Sequence, residues 1–227
     1  MSLCRTEGVI IHALDFRDDD KILTVFSPDN GLIKLLMKRV YAGRRASPPV
    51  TAPLTRCEFI YKTRKNGLLL CQETSIIDQQ LILRRHLKTL EVACELLQLI
   101  KMSQFPNKPA PQLYDLLIRY FRSIPHFSFP EVLAASFRLK LLRHEGLFGI
   151  ATICHVCHAP LTDRYLAMGE SFCRQHTPSH ALFFSQEEIV LVKHLACCRT
   201  LTELQQFPCH SDFRLKVTRF FEDAIAQ

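Results

Sequence analysis

Two short motifs of cysteine and histidine have the spacing of metal ligands. Cys154 and Cys157 are separated by two residues, and fifteen residues later Cys173 and His176 repeat that spacing. Pairs separated by roughly 15–20 residues are typical of structural zinc sites, in which two tight knuckles meet around one ion. Four protein ligands complete the tetrahedron and leave no position for a reactive water. The pattern therefore predicts one structural Zn²⁺ ion.

This interpretation leaves alternatives open. His155, His158 and His180 lie close enough in sequence to replace His176 as the fourth ligand. The match can also be incidental in a chain with ten cysteines, or the knuckle can persist as a fold that holds its metal weakly. The remaining seven cysteines lack ligand spacing, and we interpret most of them as small buried hydrophobic residues.

A second group of residues is cationic. Residues 34–65 contain nine basic side chains and one acidic side chain, Glu58, for a local charge of +8. A strip of this charge attracts polyanions, because binding releases their condensed counterions. The alternative is a solvated basic face without a partner.

The composition is that of a folded protein. The 227 residues carry a net charge of +7, with 48% hydrophobic and 22% charged residues, which argues against global disorder. Apolar runs do not approach the roughly 20 residues of a membrane span, and the N-terminal residues turn polar too soon for a signal peptide. We therefore expect a cytoplasmic protein without membrane contact, whose cysteines are thiols or metal ligands.

The first 80 residues are predicted to form a five-stranded barrel. β-Branched and aromatic residues concentrate in five short segments, and Asn66-Gly67 is the dipeptide of a tight hairpin turn. Five strands in so short a stretch favour the oligonucleotide-binding (OB) barrel. The predicted strands are residues 7–13, 21–27, 32–37, 56–63 and 68–72.

The rest of the chain, residues 81–227, is predicted to be a helical domain with the zinc element inserted at about residues 150–180. Apolar residues at helical spacing predict a first helix whose buried row is Leu83, Leu87, Leu90, Cys94 and Leu97. A second helix follows Pro109 and Pro111, and a third ends at Gly146. Three Ser/Thr–Glu pairs have capping-box spacing: Ser128/Glu131, Ser185/Glu188 and Thr200/Glu203. The fold class is thus α+β and multidomain.

The sequence offers no catalytic motif. Phosphate-binding loops, nucleophile elbows and dinucleotide fingerprints are missing, and seven glycines are few for any of them. A zinc deaminase requires a proline before its Cys-x-x-Cys pair, whereas Ile153 precedes Cys154. The adjacent acids at residues 18–20 point in different directions and suit a solvated loop better than a nuclease site. We expect a protein that is not an enzyme.

The chain resembles the bacterial RecO family of recombination mediators and DNA-repair proteins. The similarity lies in residues 7–11, 15–27 with Gly31, 52–54, and 137–142 leading to Gly146 and the Cys154/Cys157 knuckle. It covers nearly the whole chain, and the order and spacing of these segments are more specific than any one of them. Two departures stand out. The family usually has a Lys-Gly-basic element where this chain has Lys38-Arg39-Val40. The last zinc ligand of the family is often a cysteine, whereas in this chain it would be His176.

The resemblance implies an adaptor for DNA repair and recombination. Such proteins bind single- and double-stranded DNA, anneal complementary strands, contact the acidic tail of the single-strand-binding protein and, with RecR, help load RecA. In an OB barrel, ligands lie across strands two and three and under neighbouring loops. The predicted DNA-binding residues are Lys34, Lys38, Arg39, Arg44, Arg45, Arg64 and Lys65.

Two further groups of residues are candidates for contacts with DNA bases and with a protein partner. Tyr41 and Tyr61 are candidates for stacking on bases, although either is as compatible with a place in the core. For the acidic tail, Arg138, Lys140 and Arg143 are expected on the outer face of the third helix. The alternative function is a protein-binding scaffold that recognises acidic tails, with only incidental DNA contact.

Overall fold

Five strands form the first part of the chain. The computed structural model describes residues 3–17, 19–40, 48–63, 69–162, 164–207 and 210–226. One helical turn, α1 (Pro48–Thr51), lies between the third and fourth strands. The strands are β1 (Leu3–Phe16), β2 (Asp20–Ser27), β3 (Gly31–Met37), β4 (Arg56–Lys62) and β5 (Leu69–Asp78).

These strands close into a barrel in the order β1-β2-β3-β5-β4. β1 pairs antiparallel with both β2 and β4, and a short parallel pairing of β3 with β5 closes the ring. Burial alternates along β4 because successive side chains of a strand point to opposite faces. The core contains Ile10, Leu23, Val25, Ile33, Leu35, Cys57, Phe59 and Tyr61. The predicted five-stranded, OB-like barrel is confirmed.

Two helices complete the first compact unit, Met1–Pro125. α2 spans Leu87–Ser103, and α3 spans Pro111–Ser123. Proline at the first position of α3 costs little, because that residue's N–H has no partner within a helix.

The buried row predicted for the first helix is partly wrong. Leu87 is 70% exposed, whereas Val92, Leu96 and Ile100 are buried. A 3₁₀ turn at Leu81–Arg84 precedes the helix, so α2 begins later than the apolar spacing suggested and turns a different stripe inward.

The second compact unit, His126–Gln227, has three long helices and a small sheet. The helices are α4 (Glu131–His144), α5 (Gln186–Cys197) and α6 (Ser211–Ile225), and the strands are β6 (Arg164–Ala167), β7 (Glu170–Phe172) and β8 (Leu182–Phe184). The strands pair antiparallel in the order β7-β6-β8.

α4 is the central helix of this unit. It packs against both α5 and α6, so its residues from Val132 to Leu139 are all buried. The expected solvent-facing side is therefore wrong for Arg138, of which only 6% is exposed. The helix ends as predicted at Gly146, whose φ is +76°. The N–H of Leu147 donates to Leu142 and that of Gly146 to Arg143, which together form a Schellman cap.

One of the three predicted capping boxes is formed. The Ser185 hydroxyl accepts from the Glu188 N–H, and the Glu188 carboxylate accepts from the Ser185 N–H. The other two predictions are wrong. α4 has Pro130 as its N-cap, so Ser128 lies two residues too early in the chain. The Thr200 hydroxyl donates to the Glu203 side chain rather than capping the backbone.

The two compact units meet in sequence at residue 125, whereas composition predicted a boundary at residue 80. The difference arises because α2 and α3 belong to the same compact unit as the barrel. The predicted domain boundary between residues 80 and 81 therefore stays a prediction. Within the ranges given above, the helices lack the length and apolar character that crossing a membrane requires.

Candidate metal centre and nucleic-acid interface

The first metal-ligand motif lies in a tight turn of the second unit. Ile153 and Pro160 form a bridge, and the Leu161 N–H donates to Thr152. Between them the His158 N–H donates to the Cys154 carbonyl at 3.0 Å, and His158 adopts a φ of +58°. This reversal folds Cys154 and Cys157 into one knuckle.

The second motif follows the β6–β7 hairpin. β7 ends at Phe172, and a 3₁₀ turn at Arg174–His176 carries the last ligand back towards Cys173. The Thr177 hydroxyl donates to the Cys173 carbonyl at 2.7 Å and holds this turn. The His155 N–H donates to Ser171 at 2.8 Å, which fastens the first knuckle to the hairpin.

These two knuckles bring four potential ligands together. One ligand atom from each of Cys154, Cys157, Cys173 and His176 lies within 4.8 Å of the others. The sulfurs of Cys157 and Cys173 are 3.9 Å apart, and the His176 Nδ1 lies 3.2 Å from the Cys173 sulfur. A tetrahedral zinc ion, about 2.3 Å from each sulfur, separates two sulfurs by about 3.8 Å. The cluster can therefore bind a metal ion, and its geometry fits zinc.

The local backbone favours an ionised thiol in this cluster. Burial raises the pKa of Cys154, but N–H groups of Cys157, Cys173 and Val156 donate to its sulfur, and the net effect lowers its pKa to about 6. The Ala159 N–H lowers the pKa of Cys157, yet desolvation and the neighbouring thiols of Cys154 and Cys173 outweigh it and raise that pKa. Adjacent thiolates repel each other, and a divalent metal ion bound between them would supply the opposite charge.

Neighbouring histidines have other partners. His155 Nδ1 lies 3.5 Å from Glu170, and the His155 ring packs against Phe172. His180 Nε2 lies 3.4 Å from Asp223. Among the described residues, His176 is the histidine whose ring nitrogen joins the three thiols.

Comparison with protein families accounts for both parts of the chain. The family model "Recombination protein O N terminal" matches residues 1–80, and "Recombination protein O C terminal" matches residues 84–227. The chain belongs to the RecO family. The second model alone covers more than half of the sequence, and it includes all four potential metal ligands.

Individual RecO relatives are distant in sequence. A protein from Chlamydia pneumoniae named "DNA repair protein RecO" is 26% identical over 207 residues, which cover 90% of this chain and 81% of the relative. Relatives of the same name from Chlamydia trachomatis serovar D and Streptococcus equi subsp. zooepidemicus are 30% and 22% identical. Those alignments cover 61% and 99% of this chain, and 58% and 88% of the relatives.

The RecO barrel places three of the predicted DNA-binding residues on its surface. Lys34 is the one fully exposed residue of β3, and Lys38 and Arg39 follow the end of that strand. The Arg39 N–H donates to Asp20 Oδ1 at 3.0 Å, and the Val40 N–H donates to Asp19 at 2.7 Å. The exit of β3 is thereby tied to the turn before β2, which keeps these cations beside the barrel.

A cavity of about 410 Å³ opens next to this exit. Lys38 and Arg39 line it on one side, and residues 70–74 of β5 line it on the other. The β5 side contributes the polar side chains of Gln72 and Thr74 and the carboxylate of Glu73, so an anion at this point would be bound from the side of the two cations.

The remaining DNA-binding candidates lie outside the described residues: Arg44, Arg45, Arg64 and Lys65. Of the two tyrosines considered for stacking, Tyr41 also lies outside them, whereas Tyr61 is 5% exposed and belongs to the barrel core. Tyr61 therefore cannot stack on a base.

The three residues expected to bind an acidic tail occupy different environments. Arg138 is buried in the second unit. The Lys140 Nζ donates to the Cys198 carbonyl, and Arg143 donates to the Ala196 carbonyl at 2.8 Å. These last two side chains cap the C-terminal end of α5, where a positive charge offsets the helix dipole. Their role in recognising a partner stays a prediction.

Sequence reasoning missed a set of polar and aromatic residues after α2. Lys101, Gln104, Phe105 and Asn107 lie in or just after the last turn of that helix. A Pro-rich connector with an exposed phenylalanine was the available signal, but only the fold shows that this connector lies against β3.

Proposed function

We propose that this protein is a DNA-repair and recombination mediator without catalytic activity. It binds single- and double-stranded DNA through the barrel, anneals complementary strands and, with RecR, helps load RecA onto DNA coated by single-strand-binding protein. Membership of the RecO family and the names of the relatives support this role. We place it in the cytoplasm, where its thiols stay reduced.

One observation carries the DNA-binding part of the proposal. Lys34 of β3, together with Lys38 and Arg39 just after that strand, forms one exposed cationic surface of the barrel, here called the β3 edge. Hydrogen bonds from the Arg39 and Val40 N–H groups hold the backbone where the chain leaves β3. OB barrels bind their ligands across strands two and three, which include this edge. Cations of this kind contact phosphates, so we expect little sequence preference.

The salt dependence of binding tests this assignment. Lys34→Ala/Lys38→Ala/Arg39→Ala removes about three phosphate contacts. The slope of log K against log[salt] for single strands is negative, and we expect it to become less steep by about 2 in this variant. Fluorescence anisotropy with a labelled oligonucleotide at several salt concentrations measures this slope.

The matched control is Arg199→Ala/Arg214→Ala/Arg219→Ala, which removes the same charge from exposed sites of the second unit. It should leave the slope nearly unchanged. Equal slopes for both triple variants would mean that the β3 edge does not contact DNA.

The metal centre supports this function indirectly. We propose that one structural zinc ion, bound by Cys154, Cys157, Cys173 and His176, holds the two knuckles of the second unit together. We further propose that Arg143, with Lys140 beside it, contributes to the surface that meets the acidic tail of the single-strand-binding protein. Arg143 is the exposed one of these two residues, and the buried Arg138 is not part of this surface.

A protein-binding scaffold is the second candidate, and one observation favours it. Leu81, Ile82 and Leu87 are 61%, 48% and 70% exposed, and Arg85 and Lys88 lie beside them. An apolar surface with a cationic border suits an acidic protein partner. Annealing of complementary oligonucleotides by the purified protein alone separates the two candidates, because a scaffold with incidental DNA contact should not accelerate it.

A further inference from the structure

A second cavity of the first unit, here called the β3–α2 cleft, lies on the ligand-binding side of the barrel. It has a volume of about 490 Å³, within the range of roughly 300–1,000 Å³ typical of small-molecule sites. Thr24 of β2 and Lys34 of β3, which are direct cross-strand partners, line it on the barrel side. Lys101, Gln104 and Asn107 line the opposite side, at the end of α2 and in the connector to α3.

The connector that walls the cleft is fixed to the barrel. Pro106 bridges the backbone of Gly31 and Leu32, and the Asn107 N–H donates to Leu32 at 3.1 Å. Gly31 has a φ of +62°, and a side chain there would place its Cβ 2.1 Å from the Lys108 carbonyl oxygen. Glycine at this position thus allows the connector to approach the strand closely.

The charge that the described lining residues carry is positive. Lys34 and Lys101 are both exposed, and among the described residues that line the cleft none is acidic. Two cations in one small cleft favour an anionic ligand.

The other lining groups suit a flat heteroaromatic ring. Leu69 and Pro106 provide apolar contact, and Gln104 and Asn107 place side-chain amides in the lining. Gln104 is only 7% exposed, and its Nε2 donates to the Ser103 hydroxyl at 3.2 Å, which restrains the side chain. Phe105, between Gln104 and Pro106 in the chain, is 69% exposed.

We propose that the β3–α2 cleft binds an unstacked base of a single-stranded nucleic acid. Lys34 and Lys101 neutralise the flanking phosphates, and Phe105 stacks on an adjacent base at the mouth of the cleft. This inference rests on the proposed function and extends the DNA path from β3 to the end of α2. It also distinguishes single strands from duplexes, because paired bases cannot enter the cleft.

Nucleic acid fits this cleft better than an acidic peptide does. The paired amides and the exposed aromatic ring match base edges and base faces, whereas a carboxylate-rich peptide needs only the cations. The cleft also lies across strands two and three, where OB barrels bind single strands.

Tryptophan fluorescence tests stacking directly, because the chain contains no tryptophan. In Phe105→Trp, the indole becomes the only such fluorophore, and we expect single-stranded oligo(dT) to quench it. Phe129→Trp is the matched control, since Phe129 is 62% exposed but lies in the second unit. Its emission should stay unchanged at the same oligonucleotide concentration.

Affinity measurements supply the second test. We expect Phe105→Ala to weaken oligo(dT) binding about 5- to 100-fold and to leave duplex binding within about twofold of the unchanged protein. Met102→Ala removes another exposed apolar side chain, three residues away, and should change neither affinity. A far-ultraviolet circular dichroism spectrum of each variant verifies its fold.

Three outcomes overturn the inference. If the unchanged protein binds DNA while Phe105→Trp is not quenched and Phe105→Ala binds normally, the cleft assignment fails and the proposed function stands. If the unchanged protein binds no oligonucleotide, both fail together. If only an acidic peptide ending in phenylalanine alters the emission of Phe105→Trp, the cleft is a peptide site.

Discussion

Arg39 adopts a backbone conformation that residues with a side chain usually avoid. Its φ is +54°, in the left-handed region, where a Cβ costs roughly 1–2 kcal/mol. The RecO resemblance expects glycine at this position, and glycine carries no such cost. Here the hydrogen bond from the Arg39 N–H to Asp20 Oδ1 holds the strained turn. The arginine therefore adds a cation to the surface proposed to bind DNA, at the expense of stability.

Arg39→Gly separates these two effects. We expect it to raise the free energy of unfolding by about 0.5–1 kcal/mol, because the strain disappears, and to weaken DNA binding, because a cation is lost. Urea denaturation measures the first effect and anisotropy the second. Arg39→Ala keeps the strained backbone without the charge, so it should weaken DNA binding with no gain in stability. A gain of equal size in both variants would show that strain is not the cause.

At the scale of elements, a polar cluster joins α3 to the barrel. The Tyr114 hydroxyl donates to Glu7 Oε1 at 2.6 Å, and Arg56 donates to the same oxygen at 2.7 Å. The bond from Arg56, aided by that from Tyr114, outweighs desolvation and holds the pKa of Glu7 below its usual 4.5. The ionised carboxylate thus binds one residue from β4 and one from α3.

This cluster makes part of the stability depend on pH. Because the pKa of Glu7 is lowered by folding, its contribution is present above about pH 5 and is lost as pH falls through the lower, folded pKa. Tyr114→Phe should cost about 1 kcal/mol at pH 7, and this difference from the unchanged protein should shrink below about pH 4.

Urea denaturation of both proteins between about pH 3 and about pH 7, a range that spans the titration of carboxylates, gives the measurement. Tyr165→Phe is a control in the second unit. A cost of Tyr114→Phe that does not vary with pH would contradict the link to Glu7.

At the scale of the whole molecule, the cysteines divide according to their surroundings. Three of them join His176 in one cluster, and Cys57 and Cys198 are buried as small apolar residues. Cys197 is exposed, so the expected burial does not apply to it. The first turn contributes Cys154 and Cys157 to this cluster, and the second contributes Cys173 and His176. A metal ion bound there would link two segments about twenty residues apart in the chain.

Elemental analysis tests the metal directly. We expect about one zinc per chain, lost in Cys154→Ser and retained in His176→Cys, which replaces one suitable ligand with another. His155→Ala is the control, because His155 faces Glu170 rather than the cluster. Zinc that persists in Cys154→Ser would place the ion elsewhere. Since the thiols must ionise to bind, retention should also decline as pH falls.

Features that depend on local spacing were predictable from the residues alone. Segments rich in β-branched and aromatic residues predicted the strands of the barrel, and the two x₂-spaced pairs predicted a four-ligand cluster, since each depends on residues a few positions apart. The Ser185/Glu188 cap and the Gly146 stop are local in the same sense. The family, too, was recognisable from the order of short segments.

Which faces are covered, and which distant segments meet, depends on how the elements pack together. Burial of Arg138 depends on α5 and α6 packing around α4, and Tyr61 turns inward because of the register of β4. The β3–α2 cleft exists because the connector after α2 returns to β3, some seventy residues earlier in the chain. Such contacts come from the packing of whole elements, which a periodic pattern within one element does not specify.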